Sequence, residues 1–201
     1  MSVTESISKR IKRMPKGRPF VQTVFEQAGS RSAVNKALSR MVLKGTLERV
    51  VRGVYMRPKF SQYTGKRVRA NPISVLEAVA RARSETIQIH GVEAVRRLGL
   101  SVQVQVLPTF YTSGSTREIR IGNAVVRLRH ASLQRLQQAG TRIGTALTAF
   151  LYLGKNEMNE QVVRKITNSL SDGELNRLME CKMPKWLRSA LVDCAGNARK
   201  K

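Results

Sequence analysis

The chain is short of acid and of aromatic rings. Only 13 Asp plus Glu stand against 37 Lys plus Arg in 201 residues, and aromatic residues make up 5%. Carboxylates this sparse and scattered supply no cluster to hold a catalytic metal, and so few rings leave little surface for stacking unpaired bases. Cysteine is confined to Cys181 and Cys194, and histidine to His90 and His130. The two cysteines lie too far apart for a close metal pair and read as reduced thiols on helices. No apolar run is long enough to span a bilayer, and the polar N-terminus lacks a signal-peptide pattern, so a cytoplasmic protein is expected. A Gly-rich phosphate loop, a nucleophile elbow and a metal-spaced His pair are all missing. Hence no catalytic residue, metal ligand or cofactor is expected.

What the chain has in excess is positive charge, +24 with a pI near 11.4. Self-repulsion on that scale opposes compaction and is relieved by a polyanion, which puts nucleic acid ahead of an anionic membrane as partner. Charge alone does not say how the polyanion is held, because both halves of the chain are basic.

The stretch from Gly29 to Tyr55 is more specific. Ser30 is an N-cap, Val34, Leu38, Met41 and Val42 recur at helical spacing, and Gly45 is a stop. The opposite stripe carries Arg31, Ser32, Asn35, Lys36, Ser39 and Arg40, side chains able to bond phosphate oxygens and base edges. From Thr46 to Tyr55 the chain reads as a short hairpin turning near Arg52-Gly53, with Leu47 and Tyr55 inward and Arg49, Arg52 and Arg57 left for solvent, an acidic partner or phosphate. A helix over about 21–28, with Val21, Val24, Phe25 and Ala28 inward, is joined to the next helix by Gly29-Ser30 alone, the tight connection of a helix-turn-helix. A further helix over about 4–14 places Ile7, Ile11 and Met14 on one side and Lys9 and Lys12 on others. The pattern predicts a winged helix-turn-helix over residues 1–60, with Arg52 on the wing.

Residues 61–72 lack apolar periodicity and form a basic linker with Lys66, Arg67 and Arg69. Over 73–201 the pattern turns to mixed α/β with a helical C-terminus, so the fold class expected is α+β. Helices are predicted over about 73–83 and 92–98, with a strand at 86–89 between them. Alternating Val102, Val104 and Val106 predict another strand. A Gly122-Asn123 turn sorts Ile119, Ile121, Val126 and Leu128 to one face of a hairpin. It leaves Arg120, Arg127 and Arg129 as a second basic surface and sets Glu118 opposite Arg127. Beyond Ser132 everything reads as helix: Leu133 and Leu136, Ile143–Leu153, Val162–Leu170, a capping box at Ser171 and Glu174, and an apolar stripe after Pro184 with Trp186 as a core residue. The tail at 197–201 reads as frayed.

These residues lead to double-stranded DNA as partner, an operator of the inverted-repeat kind included, read in the major groove by the helix at 31–43. Lys9 and Lys12 would add phosphate contacts, and Arg120, Arg127 and Arg129 would hold flanking DNA. The rival readings are an RNA-binding or ribosome-associated basic protein and, behind it, a metal-dependent nuclease. Gly29-Ser30-Arg31, Ala33-Val34, Ala37-Leu38-Ser39-Arg40, Gly45, Arg49 and Arg52-Gly53-Val54-Tyr55 resemble the N-terminal winged helix of the AbiEi-like antitoxins, including relatives of the DUF6088 type. His90-Gly91-Val92-Glu93-Ala94 and Leu98-Gly99-Leu100 are similar, more loosely, to that family's second domain. The resemblance implies an autorepressing antitoxin of a type IV toxin-antitoxin or abortive-infection system. It also implies a nucleotidyltransferase-type toxin countered functionally rather than in a stable complex. Within the cytoplasm, a nucleoid-associated protein is expected.

Overall fold

The computed structural model describes residues 2–198. The chain is mixed α+β, and its contacts divide it into two units. One takes in the described residues up to Glu85 together with Glu118–Val126, the other Thr86–Arg117 together with the described residues from Arg127 on. Residues 199–201, the end of the stretch read as frayed, lie outside the described residues.

In the first unit, α1 (Val3–Arg13) is started by a capping box. The Ser2 hydroxyl accepts from the Glu5 amide, and the Glu5 carboxylate accepts from the Ser2 amide, so two donors without helical partners are satisfied. Ile7 and Ile11 face the core. At its other end, Arg57 Nη1 donates to the carbonyls of Lys12 and Met14 at 2.8 and 2.6 Å. Arg57 is therefore not a solvent or phosphate cation as the sequence suggested. It satisfies terminal carbonyls and meets the negative end of the helix dipole.

The helix expected over 21–28 is divided in the structure. Val21 belongs to strand β1 (Pro19–Val21), where it pairs with Val54, and a 3-10 helix spans Gln22–Ala28. No side chain caps its start, and the β-branched Thr23 and Val24 are stiff in helical backbone. Then α2 (Arg31–Leu43) begins as read, with the Ser30 hydroxyl accepting from the Ala33 amide at 3.3 Å. It buries Val34, Ala37, Leu38 and Met41, while Val42 is half-buried.

Strands β2 (Glu48–Val51) and β3 (Val54–Met56) turn at Arg52-Gly53, where Gly53 has φ +79°, a left-handed backbone that glycine adopts without steric cost. The sheet order is β1-β3-β2, all antiparallel, and Leu47 and Tyr55 enter the core. After a bonded turn over 59–69, α3 (Pro72–Ala82) starts on Asn71, whose side chain accepts from the Ile73 and Ser74 amides. It packs against β1 and β3, so contacts divide the units after Glu85 and not at 61–72.

The second sheet has the order β4-β5-β7-β6, formed by β4 (Ile87–Ile89), β5 (Thr109–Thr112), β6 (Arg117–Ile121) and β7 (Ala124–His130). β5 runs antiparallel to β4 and parallel to β7. The hairpin turn at Gly122-Asn123 falls as read, with Ile121, Val126 and Leu128 buried and Arg120, Arg127 and Arg129 exposed. Helices α4 (Gly91–Arg97), α5 (Arg142–Leu153), α6 (Glu160–Thr167), α7 (Asp172–Glu180) and α8 (Lys185–Ala198) surround a core built on Ala146, Leu147, Phe150, Ile166, Leu178 and Leu187. Trp186 packs against it half-buried. The capping box at Ser171 and Glu174 forms with both bonds.

Two expectations fail here. Residues 102–106 are no strand: Val102, Val104 and Val106 are 94%, 75% and 103% exposed. Gln105 is the residue turned inward, its amide nitrogen 3.1 Å from His90 Nδ1 and its oxygen accepting from the Thr109 amide. Alternation selects a face, but a strand also needs an edge to pair with. Nor is 132–140 a helix; it is a run of turns in which Leu133 is exposed and Leu136 buried. Strand β5, which no alternation signalled, pairs with β4 and β7 instead.

On α4 the Glu93 carboxylate accepts from Arg96 Nε and Nη2 and from Arg97 Nε, at 2.7–2.9 Å. These bonds, Arg96's first, hold its pKa down at about 2 against an ordinary 4.5. A depressed carboxylate stabilises the fold above the unfolded pKa, and that contribution is lost as pH falls from about 4.5 towards 2. Glu93→Gln should therefore lower the melting temperature at pH 7 and converge on the parent as the pH approaches 2. A difference that stays constant in melts across that range would disprove the linkage.

Candidate nucleic-acid interface

The docked face of α2 decides what its other face can show. With Val34, Leu38 and Met41 held in the core, Arg31, Ser32, Lys36, Ser39 and Arg40 are exposed and Asn35 is half-buried. These six side chains and Leu43 line one shallow depression along the outer side of the helix. All six residues predicted on α2 thus come together. Leu43 does not follow from its polar neighbours; it is 87% exposed at the last turn.

Arg31, Asn35 and Ser39 also form one wall of a groove of about 590 Å³. The hairpin contributes Arg49, Arg52 and Gly53 to the same lining. Gln22 and Thr23, at the start of the 3-10 helix, lie at one side, and Val79, Ala82 and Arg83 at the end of α3 at another. Among the described residues no carboxylate lines this groove, although the Arg83 guanidinium stands 3.9 Å from Glu85. Four guanidinium groups carried by three elements give it the charge and the planar, charge-assisted donors that suit phosphate oxygens. Gln22, Thr23 and Arg83 carried no signal in the sequence, because only the packing of α3 on the sheet brings them beside α2.

Lys9 and Lys12 are exposed on α1. Arg120 falls in the first unit, whereas Arg127 and Arg129 fall in the second. In the second unit the His90-Gly91 motif is structural. His90 caps α4, accepting from the Val92 amide, and its ring lies 4.8 Å from that of Tyr111. Burial, and then Arg129 and Arg135, push its pKa down, which agrees with a neutral ring whose Nδ1 accepts. Gly91 admits the Tyr152 ring so closely that a Cβ would sit 2.2 Å from it. Cys181 is buried and Cys194 half-buried, both as free thiols. Among the described residues, no three His, Cys, Asp or Glu side chains gather as a metal site would need, and no helix is long and apolar enough to cross a membrane.

Fold and site together define an α+β protein with a cationic, amide-bearing helix face beside an arginine-lined groove. The chain belongs to DUF6088, a family of unknown function whose model matches residues 6–178. No curated protein and no solved structure matches it.

Proposed function

We propose that this protein is a sequence-specific, double-stranded-DNA-binding transcriptional regulator whose N-terminal unit acts as a winged helix-turn-helix. The observation that carries the reading is the outer face of α2, where six side chains suited to phosphates and base edges share one surface and three of them line a groove together with Arg49 and Arg52. In this reading α2 enters the major groove. Asn35 and Arg40 read base edges, Arg31, Ser32, Lys36 and Ser39 add phosphate or base contacts, and Arg52 meets the minor groove or a phosphate. Lys9 and Lys12 contribute attraction without sequence preference. The resemblance to AbiEi-like antitoxins supports the narrower proposal of an autorepressing antitoxin opposing a nucleotidyltransferase-type toxin.

Asn35→Ala or Arg40→Ala should weaken operator binding by roughly 1 to 3 kcal/mol and relax base preference, whereas Lys9→Ala should weaken all duplexes about equally. Gel-shift titrations against the upstream region of the protein's own gene test this. Unchanged affinities for both α2 variants would remove the assignment. The antitoxin proposal stands or falls on whether co-expression relieves the toxicity of a nucleotidyltransferase encoded next to it.

A further inference from the structure

Residues 61–72 were expected to be a basic linker, yet 59–69 form a bonded turn. Its base is the bridge between Phe60 and Arg67, reinforced by the Val68 amide donating to the Lys59 carbonyl at 2.7 Å. Above it, the Ser61 amide donates to Lys66 and the Gly65 amide to Ser61, both at 2.9 Å, while the Ser61 hydroxyl accepts from the amides of Tyr63 and Thr64. The turn is anchored at its root as well. The Gly17 amide donates to Arg57, the Lys59 stem lies against Gly17, and Arg57 is tied to the end of α1.

This ordered tip presents Tyr63 at 98% exposure. Lys59, Lys66, Arg67 and Arg69 are exposed on the same turn, and the sequence holds no acidic residue between Glu48 and Glu77. The Arg67 guanidinium already lies over the Phe60 ring at 5.8 Å. A hydrogen-bonded turn that carries a fully exposed tyrosine and four exposed cations is suited to a ligand with flat faces and negative charge.

We propose that this turn is a second nucleic-acid site, one that binds single-stranded DNA or RNA by stacking Tyr63 on a base while Lys66, Arg67 and Arg69 hold the phosphates. Duplex is the poorer fit, because its base faces are covered and inserting a ring costs the unstacking of a step. A membrane is poorer too, because one tyrosine buries little apolar area in the headgroup region. The site is separate from α2. None of the residues of this turn is among those that line the α2 depression or the groove beside it.

The test is fluorescence anisotropy of the full chain with labelled dodecathymidylate, dodecauridylate and a random duplex. Tyr63→Ser should weaken single-strand binding about 5- to 100-fold, and Tyr63→Phe should retain it. Exposure this complete predicts unchanged melting for both. Lys66→Gln, Arg67→Gln and Arg69→Gln together should lower the single-strand salt slope by about 2, and the two oligomers separate a DNA from an RNA preference. Tyr63→Ser binding that equals the parent's on both single strands overturns the proposal. So does a Tyr63→Ser loss confined to the duplex. Because Asn35→Ala is read on operator duplex and Tyr63→Ser on single strands, failure of either leaves the other standing.

Discussion

Replacing Phe25 by alanine is expected to cost about 3–5 kcal/mol and, in the proposed reading, to take duplex binding with it. The ring is 1% exposed and meets Phe20 edge-on at 5.9 Å. Arg10 covers it at 5.4 Å from the ring centre while donating to the Val24 carbonyl at 2.7 Å. The same core seats Ile7 and Ile11 of α1 and Val34, Leu38 and Met41 of α2. Removing the ring therefore leaves a void that two helices and a charged stem would have to close. A void lined by side chains already in contact closes poorly, which is why such truncations exceed the transfer energy of the lost atoms. Urea unfolding followed by circular dichroism should show a lower midpoint at unchanged slope. Leu43→Ala, at a site 87% exposed, should stay within about 0.5 kcal/mol. A loss below about 1 kcal/mol for Phe25→Ala would contradict the packing described.

Gly144→Ala should destabilise by about 3 kcal/mol, although helix propensity alone favours the change by roughly 0.5–1 kcal/mol. Gly144 sits in the first turn of α5, where its amide donates to the Thr141 hydroxyl. A Cβ there would lie 2.1 Å from the Gln138 carbonyl oxygen and 2.5 Å from the Gln88 amide nitrogen. The first neighbour is backbone and cannot rotate away, and Gln88 is 2% exposed. Relief would require moving the 132–140 turns or the start of α5. The matched comparison is Gly173 in α7, where an added Cβ meets nothing within 4 Å. Gly173→Ala should stabilise by about 0.4–1 kcal/mol through the unfolded chain. Melts in which both substitutions shift stability in the same direction would be inconsistent with this packing.

The local part of the architecture was legible because its signals lie within a few residues of one another. Ser30 and Ser171 cap helices through amides three positions on, and the Gly122-Asn123 turn sets the alternation of its own hairpin. The α2 face followed from the same logic: four apolar positions at helical spacing orient the remainder outward. Features that depended on distant partners were not legible. Val21 became a strand residue because Val54 is beside it, and Arg57 became a helix cap because its strand ends next to α1. The valines at 102, 104 and 106 stayed exposed because β5 occupies the edge beside β4.

The sequence by itself determined the charge, the α+β composition and the cationic, amide-bearing face of α2, since all of these depend on residue type and on periods of two and 3.6. Only the tertiary structure decided which cations stand together. Arg83 reaches the groove through the packing of α3, Arg57 is withdrawn from the surface chemistry, and Tyr63 is held out on a bonded turn. The physical reason is range. Propensity and periodicity act along the chain, whereas a binding surface is assembled from side chains whose proximity exists only after distant segments have packed.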